Sequence, residues 1–283
     1  EPIRGTFDIS GLDGDHLMRT VMTMYVSGFD VLELESDRIT ADQRRVIRNA
    51  TQSLVGLEVL EETGNRVVIQ DLLDSSELSI HNAVRRMRLI ATSMLDDAVT
   101  AVVEGDEDLA RDVTERDDDV DRLWFVVSRI FRGSLRSPEA AVEIGVTREV
   151  CFDYHSSARQ LERIADHATK IANVGLELDG DIPEDVADDL HALHDEAIAI
   201  VDSAMDALVT DDTGEATELA NDARARVPGV DELTRSVDEH LRELDPETAR
   251  QLSLVVDSLS RCADYGGNVA ETALQKAAPT PGA

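Results

Sequence analysis

The helical part of the sequence repeats itself, and this repeat most strongly limits the folds open to the chain. Residues 158–178 align with a later segment at an offset of 98 residues, which places Asp166 on Asp264. Earlier in the repeated unit the offset is 106 to 110 residues. Helices therefore align while loop lengths differ, which is what duplication of a three-helix unit predicts.

Apolar residues from Ile80 onward recur every three or four positions, the spacing of a packed amphipathic helix. Breaks at Gly105, at residues 137–145 and at residues 179–183 separate the long helices. Together with the repeat, they predict three-helix bundles at 76–180 and 181–276 and a disordered tail at 277–283. The predicted seam of the first helix is Ile80, Val84, Met87, Ala91, Met94, Ala98 and Val102.

Residues 1–75 follow a different pattern, in which short β-rich runs alternate with helical runs in the order β-α-β-α-β-β. Thr40 is a predicted helix N-cap, and the turn at residues 63–65 predicts a hairpin. We expect a small open α/β sandwich here, so the whole chain is mostly α. The segment has no G-x-G-x-x-G and no G-K-[ST] motif, and therefore no recognisable phosphate-binding loop.

The composition is strongly acidic, with 59 acidic against 27 basic residues and a net charge of −32. Such a surface disfavours direct binding of nucleic acid, which needs clustered arginine and lysine. Only two residues are lysine. This composition is typical of proteins from salt-loving microbes, because a hydrated acidic surface is tolerated where salt screens its self-repulsion.

The lack of a recognisable targeting signal and the cysteine usage indicate a cytoplasmic protein. No apolar run is long enough to span a membrane, and no basic leader precedes an apolar run. Cys151 and Cys262 lack a C-x-x-C spacing, so we interpret both as core residues in a reducing compartment.

Two pairs of acids have the spacing that places side chains one turn apart on one helix face, Asp117 with Asp121 and Glu162 with Asp166. Both pairs occupy equivalent positions beside the apolar seams of neighbouring helices. Antiparallel packing would bring the four carboxylates together, and a cation or protonation would then have to relieve their repulsion. Oxygen ligands favour Mg²⁺ or Mn²⁺, with iron as a further option.

The competing interpretation of these acids is a solvated helix face. In so acidic a chain such pairs also arise by chance, and Glu115 with Asp119 is an example. His167 is either an additional ligand or a surface residue, whereas His191 and His194 are interpreted as surface residues.

The string LERIADHA at residues 161–168, with DDDVDRL at 117–123, closely resembles the PhoU family of phosphate-uptake regulators. The resemblance covers about residues 77–276. It implies two tandem three-helix bundles and (E/D)-x-x-x-D motifs that hold multinuclear metal clusters. The implied metal is Mg, Mn, Fe or Zn, and the implied ligands are Asp117, Asp121, Glu162 and Asp166.

The second repeat departs from the family's pattern. Ser260 replaces the first acid of one pair and Val227 that of the other, so only Asp231 and Asp264 remain. We therefore expect one competent site and one degenerate site. Gly266–Gly267 should also weaken the last helix.

The N-terminal segment resembles the α/β module of archaeal PhoU-like proteins, where it lies between an AbrB-like DNA-binding domain and the bundles. The sequence does not begin with Met, and the resemblance predicts a DNA-binding domain upstream of Glu1.

The resemblance implies a cytoplasmic, homodimeric regulator of phosphate uptake that acts on the phosphate ABC transporter's ATPase or on a signalling protein. We expect no enzyme activity, because no nucleophile–base set is visible. The alternative is a phosphate- or metal-responsive transcription regulator, in which the α/β module is the sensor.

Overall fold

The computed structural model describes residues 2–73, 79–136 and 145–279. Within these ranges, four strands and two short helices precede six long helices, which confirms the expected mostly α architecture with a small α/β domain. The first part consists of β1 Arg4–Asp8, α1 Gly14–Val26, β2 Val31–Glu35, α2 Ala41–Gln52, β3 Leu57–Glu62 and β4 Arg66–Asp71. The long helices are α3 Ile80–Glu104, α4 Glu107–Arg136, α5 Arg148–Glu177, α6 Glu184–Val209, α7 Thr213–Leu241 and α8 Pro246–Ala277.

Several expectations about segment ends fall on undescribed residues. Residues 137–144 of the predicted break at 137–145 lie outside the described part of the chain, as do residues 280–283 of the predicted tail at 277–283. The tail prediction is wrong for Ala277, which belongs to α8. Among the described helices, none is long and apolar enough to cross a membrane.

The four strands form one sheet in the order β1-β2-β4-β3. β1 and β2 are parallel, while β4 is antiparallel to both β2 and β3, as the predicted hairpin requires. The register pairs Leu32 with Ile69 and Leu34 with Val67, so these side chains share one face of the sheet. They pack in one buried cluster with apolar residues of α1 and α2.

The start of α2 is fixed by the predicted cap. The Thr40 hydroxyl accepts a hydrogen bond from the backbone N–H of Gln43, and the Gln43 side chain accepts one from the backbone N–H of Thr40. The Gln43 amide also donates to the carbonyls of Ile9 and Leu12 at 3.0 and 2.9 Å. Gln43, the second residue of this capping box, therefore also holds α2 against the segment that follows β1.

The chain divides into two compact units. The first comprises residues 1–83 with 121–155, and the second comprises residues 84–120 with 156–283. The predicted domain boundaries at residues 75, 180 and 276 stay predictions.

In the first unit, Arg129 of α4 joins the helix to the α/β module. Its guanidinium donates to the carbonyls of Tyr25 and Phe29 at 2.6 and 3.0 Å. It also pairs with Asp30 at 2.8 Å and with Asp71 at 3.0 Å. The Arg129 side chain is 12% exposed and that of Asp71 only 8%, so this ion pair is shielded from water. Arg129 also lies over the Tyr25 ring, 4.9 Å from its centroid.

In the second unit, two contacts between α3 and α6 repeat each other. Arg88 pairs with Asp202 at 2.8 Å, and His194 lies 3.7 Å from Asp96. Arg88 and His194 occupy equivalent positions of the two repeats, and so do Asp96 and Asp202, because each pair is separated by the repeat offset of 106 residues. The two repeats therefore contact each other through equivalent positions. The interpretation of His194 as a surface residue is wrong, because its side chain is only 7% exposed, whereas His191 is exposed as expected.

A third contact joins two residues that are equivalent at the repeat offset of 98 residues. The His167 ring nitrogen Nε2 lies 3.4 Å from the Tyr265 hydroxyl, and the two residues differ by the repeat offset of 98. His167 is buried between α5 and α8, so its interpretation as a surface residue is wrong. The burial comes from the packing of the two repeats on each other, which the sequence around His167 does not encode.

The two glycines of the last helix do not interrupt it, since α8 continues through both. A Cβ atom at Gly266 would lie 2.9 Å from Ile200 Cγ2 and 3.0 Å from the backbone nitrogen of Val201. Gly266 therefore permits close approach of α8 to α6, which offsets its low helix propensity. At Gly267 the nearest atom would be Val227 Cγ2 at 3.2 Å.

The two cysteines are buried and form no disulfide, which confirms their interpretation as core residues. Burial raises the pKa of both thiols.

We predict that Arg129→Ala destabilises the first unit by about 3 kcal/mol, because Asp71 is left buried without its cation. The fluorescence of Trp124, the single tryptophan, reports unfolding of this unit in urea. Arg111→Ala is the matched control, since Arg111 pairs only with the exposed Glu107 and Asp108 and should change stability by less than about 1 kcal/mol. Equal midpoints for the two variants would contradict the buried ion pair.

We predict that Gly266→Ala lowers the free energy of unfolding by about 2 kcal/mol, because the methyl group overpacks the contact between α8 and α6. Gly267→Ala should change it by less than about 1 kcal/mol, since its higher helix propensity offsets a milder contact. Thermal denaturation followed by circular dichroism measures both. If Gly267→Ala proved the more damaging substitution, the close approach at Gly266 would be the wrong explanation.

Candidate functional site

The acidic pairs lie on α4 and α5, each beside an apolar seam. The seam positions Val113 and Val120 of α4, and Ala158 and Ala165 of α5, are fully buried. Since the seams face inward, the adjacent flank positions lie at the edge of the helix contact. The four predicted ligands are accordingly half-buried. They are Asp117, Asp121, Glu162 and Asp166.

The side chain of Glu162 is only 12% exposed. Its Oε1 pairs with Arg159 at 3.0 Å, while Oε2 is buried and has no hydrogen-bond partner among the described residues. Burial raises the pKa of Glu162, the negative charge of Asp166 raises it further, and Arg159 and Arg163 oppose the increase. One oxygen of this carboxylate therefore lacks a hydrogen-bond donor among the described residues.

Asp117 faces the same group of charges from α4. Burial raises the pKa of Asp117, with a further increase from Asp166, and the nearby Thr169 hydroxyl opposes the change. By contrast, Glu115 and Asp119, the pair in the next register, are both exposed. The predicted pairs are therefore more buried than a pair with the same spacing on the exposed face of α4. Spacing alone could not show this difference.

Three carboxylates from two helices therefore act on one another, namely Asp117, Glu162 and Asp166. Asp121 follows one turn after Asp117 on α4. Within the described ranges, no three acidic, histidine or cysteine side chains are close enough to hold one ion together. The cluster concentrates negative charge, and a cation or a shared proton would lower its electrostatic energy.

His167, the possible additional ligand, makes its nearest described contact elsewhere. Its Nε2 faces Tyr265, and its Nδ1 is buried with no hydrogen-bond partner in the part of the chain that the structure describes. Burial lowers the pKa of His167, and the positive charge of Lys170 lowers it further.

The corresponding positions of the second repeat are more open. Asp231 and Asp264 are exposed, whereas Ser260 and Val227 are partly buried. The half-buried carboxylate cluster is therefore a feature of the first repeat.

A second polar site, which no sequence motif predicted, is a cavity of about 720 Å³ in the α/β module. Its walls come from the ends of β1 and β2 and from the β3–β4 hairpin. The signal was available, because ligands of parallel sheets bind beyond the carboxyl ends of the strands. Four carboxylates face one guanidinium, which disfavours phosphate as the ligand. The lining residues are Asp8, Ser10, Glu35, Ser36, Asp37, Glu61, Thr63, Asn65 and Arg66.

The duplicated bundles and the carboxylate cluster beside the seam define a tandem helical-bundle protein. The PhoU domain model matches residues 84–174 and 190–273, which together exceed half of the chain. The chain therefore belongs to the PhoU domain family. The two matched ranges correspond to the two repeats, and the α/β module lies outside both.

Two curated relatives carry the same name, phosphate-specific transport system accessory protein PhoU homolog. The Pseudomonas putida protein is 28% identical over 194 residues, which cover 64% of this chain and 71% of that protein. The Clostridium acetobutylicum protein is 23% identical over 211 residues, which cover 72% of this chain and 93% of that protein. Both names describe accessory proteins.

Solved structures show the same fold. PhoU from Pseudomonas aeruginosa matches with a TM-score of 0.60 and 23% identity, over 69% of this chain and 93% of that chain. The phosphate transport system regulatory protein PhoU from Streptococcus pneumoniae matches with a TM-score of 0.56 and 16% identity, over 69% and 91%.

Proposed function

We propose that this protein regulates phosphate uptake as an accessory protein of a phosphate transport system. The observation that carries the proposal is the match of both bundles to the PhoU domain. The names of the two relatives support it, since both are accessory proteins of phosphate-specific transport. In this proposal the protein acts in the cytoplasm as a homodimer and binds the transporter's ATPase or a signalling protein.

The carboxylate cluster of the first repeat holds metal in this proposal. Its support is chemical: within the described ranges Glu162 has a buried oxygen without a hydrogen-bond partner, and burial raises the pKa of both Glu162 and Asp117. Hard oxygen ligands suit Mg²⁺ or Mn²⁺, with iron or zinc as further options. Asp117 and Asp121 would contribute from α4, and Glu162 and Asp166 from α5. A bound cation would offset the repulsion between the two helices and so stabilise one arrangement of them.

The second candidate function is transcription regulation, with the α/β module as a ligand sensor. The cavity at the ends of β1 and β2 favours this function, because it offers a polar binding site outside the matched PhoU domains. Its acidic lining would select a cationic ligand rather than phosphate.

We predict that Mn²⁺ raises the thermal midpoint of the chelator-treated protein, and that Glu162→Gln with Asp166→Asn abolishes this increase. In chelator the double variant should be at least as stable as the unmodified protein, because two mutually repelling charges are gone. Glu115→Gln with Asp119→Asn is the matched control, as that pair has the same spacing on an exposed face. Equal metal content in the two double variants by plasma emission analysis would refute the metal site.

We predict that deletion of the gene leaves phosphate uptake high in phosphate-rich medium, where the unmodified strain reduces it. Uptake of radiolabelled orthophosphate measures this directly, and complementation with the intact gene is the control. Unchanged uptake together with altered transcripts of genes unrelated to transport would reject the transport role and favour transcription regulation.

A further inference from the structure

The C-terminal half of α4 has a composition unlike the rest of the chain. Residues 122–136 contain four arginines and no acidic residue, although the whole sequence has 59 acids. Aromatic residues are also concentrated nearby. Of nine in the chain, five lie within residues 124–154, and three of these precede position 132.

One of the four arginines is used internally, one is partly buried and two are exposed. Arg129 is buried against the α/β module. Arg122 is partly buried, whereas Arg132 and Arg136 are exposed, one and two turns after Arg129. The guanidinium of Arg136 comes close to Gly28. A Cβ atom added at Gly28 would lie 2.7 Å from Nη1 of Arg136. The free charge therefore lies beside the α/β module, within the first compact unit.

Exposed apolar groups lie on the same segment of α4 and at the start of α5. The Phe131 ring stacks on His155, with centroids 4.3 Å apart, and its centroid is 6.1 Å from that of Phe152. Phe152 is 50% exposed, and Leu135, one turn after Phe131, is 56% exposed. We name this surface the arginine–aromatic patch and define it by its members. They are Phe131, Arg132, Leu135, Arg136, Phe152 and His155.

The composition of the patch is that of a protein-binding surface. Aromatic and arginine side chains contribute most to binding at interfaces, where exposed apolar anchors are surrounded by polar groups. Exposed Phe and Leu side chains cost solvation free energy in the free protein, and this cost is recovered when a partner covers them.

We propose that the arginine–aromatic patch binds an acidic segment of a different protein, with apolar side chains covering Phe152 and Leu135 and carboxylates facing Arg132 and Arg136. Charge complementarity selects this partner, because the patch is basic on an otherwise acidic molecule. The inference holds whether or not the partner belongs to a phosphate transporter, and it is independent of metal binding.

Two other occupants fit less well. Two identical patches facing each other across a two-fold axis would place arginines against arginines, so a second copy is disfavoured. Lysine and arginine contacts with phosphates supply most of the affinity for nucleic acid, and the patch offers only two exposed arginines. The net charge of −32 would also repel a nucleic acid.

Site-specific photo-crosslinking in the native cells tests the proposal. The photoreactive residue p-benzoylphenylalanine is placed at Phe152 of the full chain, and crosslinked peptides are identified by mass spectrometry. We expect a peptide from one other protein in which acidic residues outnumber basic ones. The same residue placed at Leu254, which is 52% exposed on α8, should not give this product.

Charge reversal is the second arm of the experiment. Arg132→Glu with Arg136→Glu should reduce the crosslinked product about tenfold or more. Arg235→Glu with Arg242→Glu, which reverses one exposed arginine on α7 and one directly after its end, should leave it within about twofold. Unchanged Trp124 fluorescence during unfolding verifies that the variants fold.

Four outcomes would overturn the proposal. They are crosslinking to a second copy of this chain, a nuclease-sensitive product, no product at all, and a product that survives reversal of Arg132 and Arg136.

Discussion

Close packing along apolar seams is the constraint on which the helical part of this protein depends. The seam of α5 contains alanines such as Ala158 and Ala165, whose small side chains let a neighbouring helix approach closely. Gly266 has the same role in α8, at a point where even a methyl group would be overpacked. Because the seams fix how the helices face each other, they also determine which flanking side chains lose contact with water. Glu162 is one of these side chains.

The electrostatics follow from this packing more than from the total charge. Most of the acids remain in contact with solvent, where water and salt screen them. Asp117 and Glu162 differ because burial removes that screening and Asp166 adds a second negative charge. The exposed pair of Glu115 and Asp119 has the same spacing without this effect. Burial, and not the sequence motif alone, distinguishes these carboxylates from the exposed acids.

The C-terminal half of α4 shows how one helix serves two purposes in the first unit. On one side Arg129 is buried and satisfies Asp71 as well as two backbone carbonyls. One turn later, Arg132 is exposed and available to a partner. The absence of acidic residues from positions 122–136 serves both purposes, because an acidic neighbour would compete for Arg129 or for Arg132.

The sequence by itself determined the features that depend on local or periodic signals. These include the helical seams, the duplication, the capping box at Thr40 and the hairpin of the α/β module, since each is encoded by residues close together in the chain or by a repeating spacing. Only the tertiary structure decided which polar residues are buried. His167 and His194 lie in the contact between repeats, because residues 98 or more positions away cover them. The carboxylate cluster depends in the same way on the packing of α4 against α5, since burial is a property of the assembled helices.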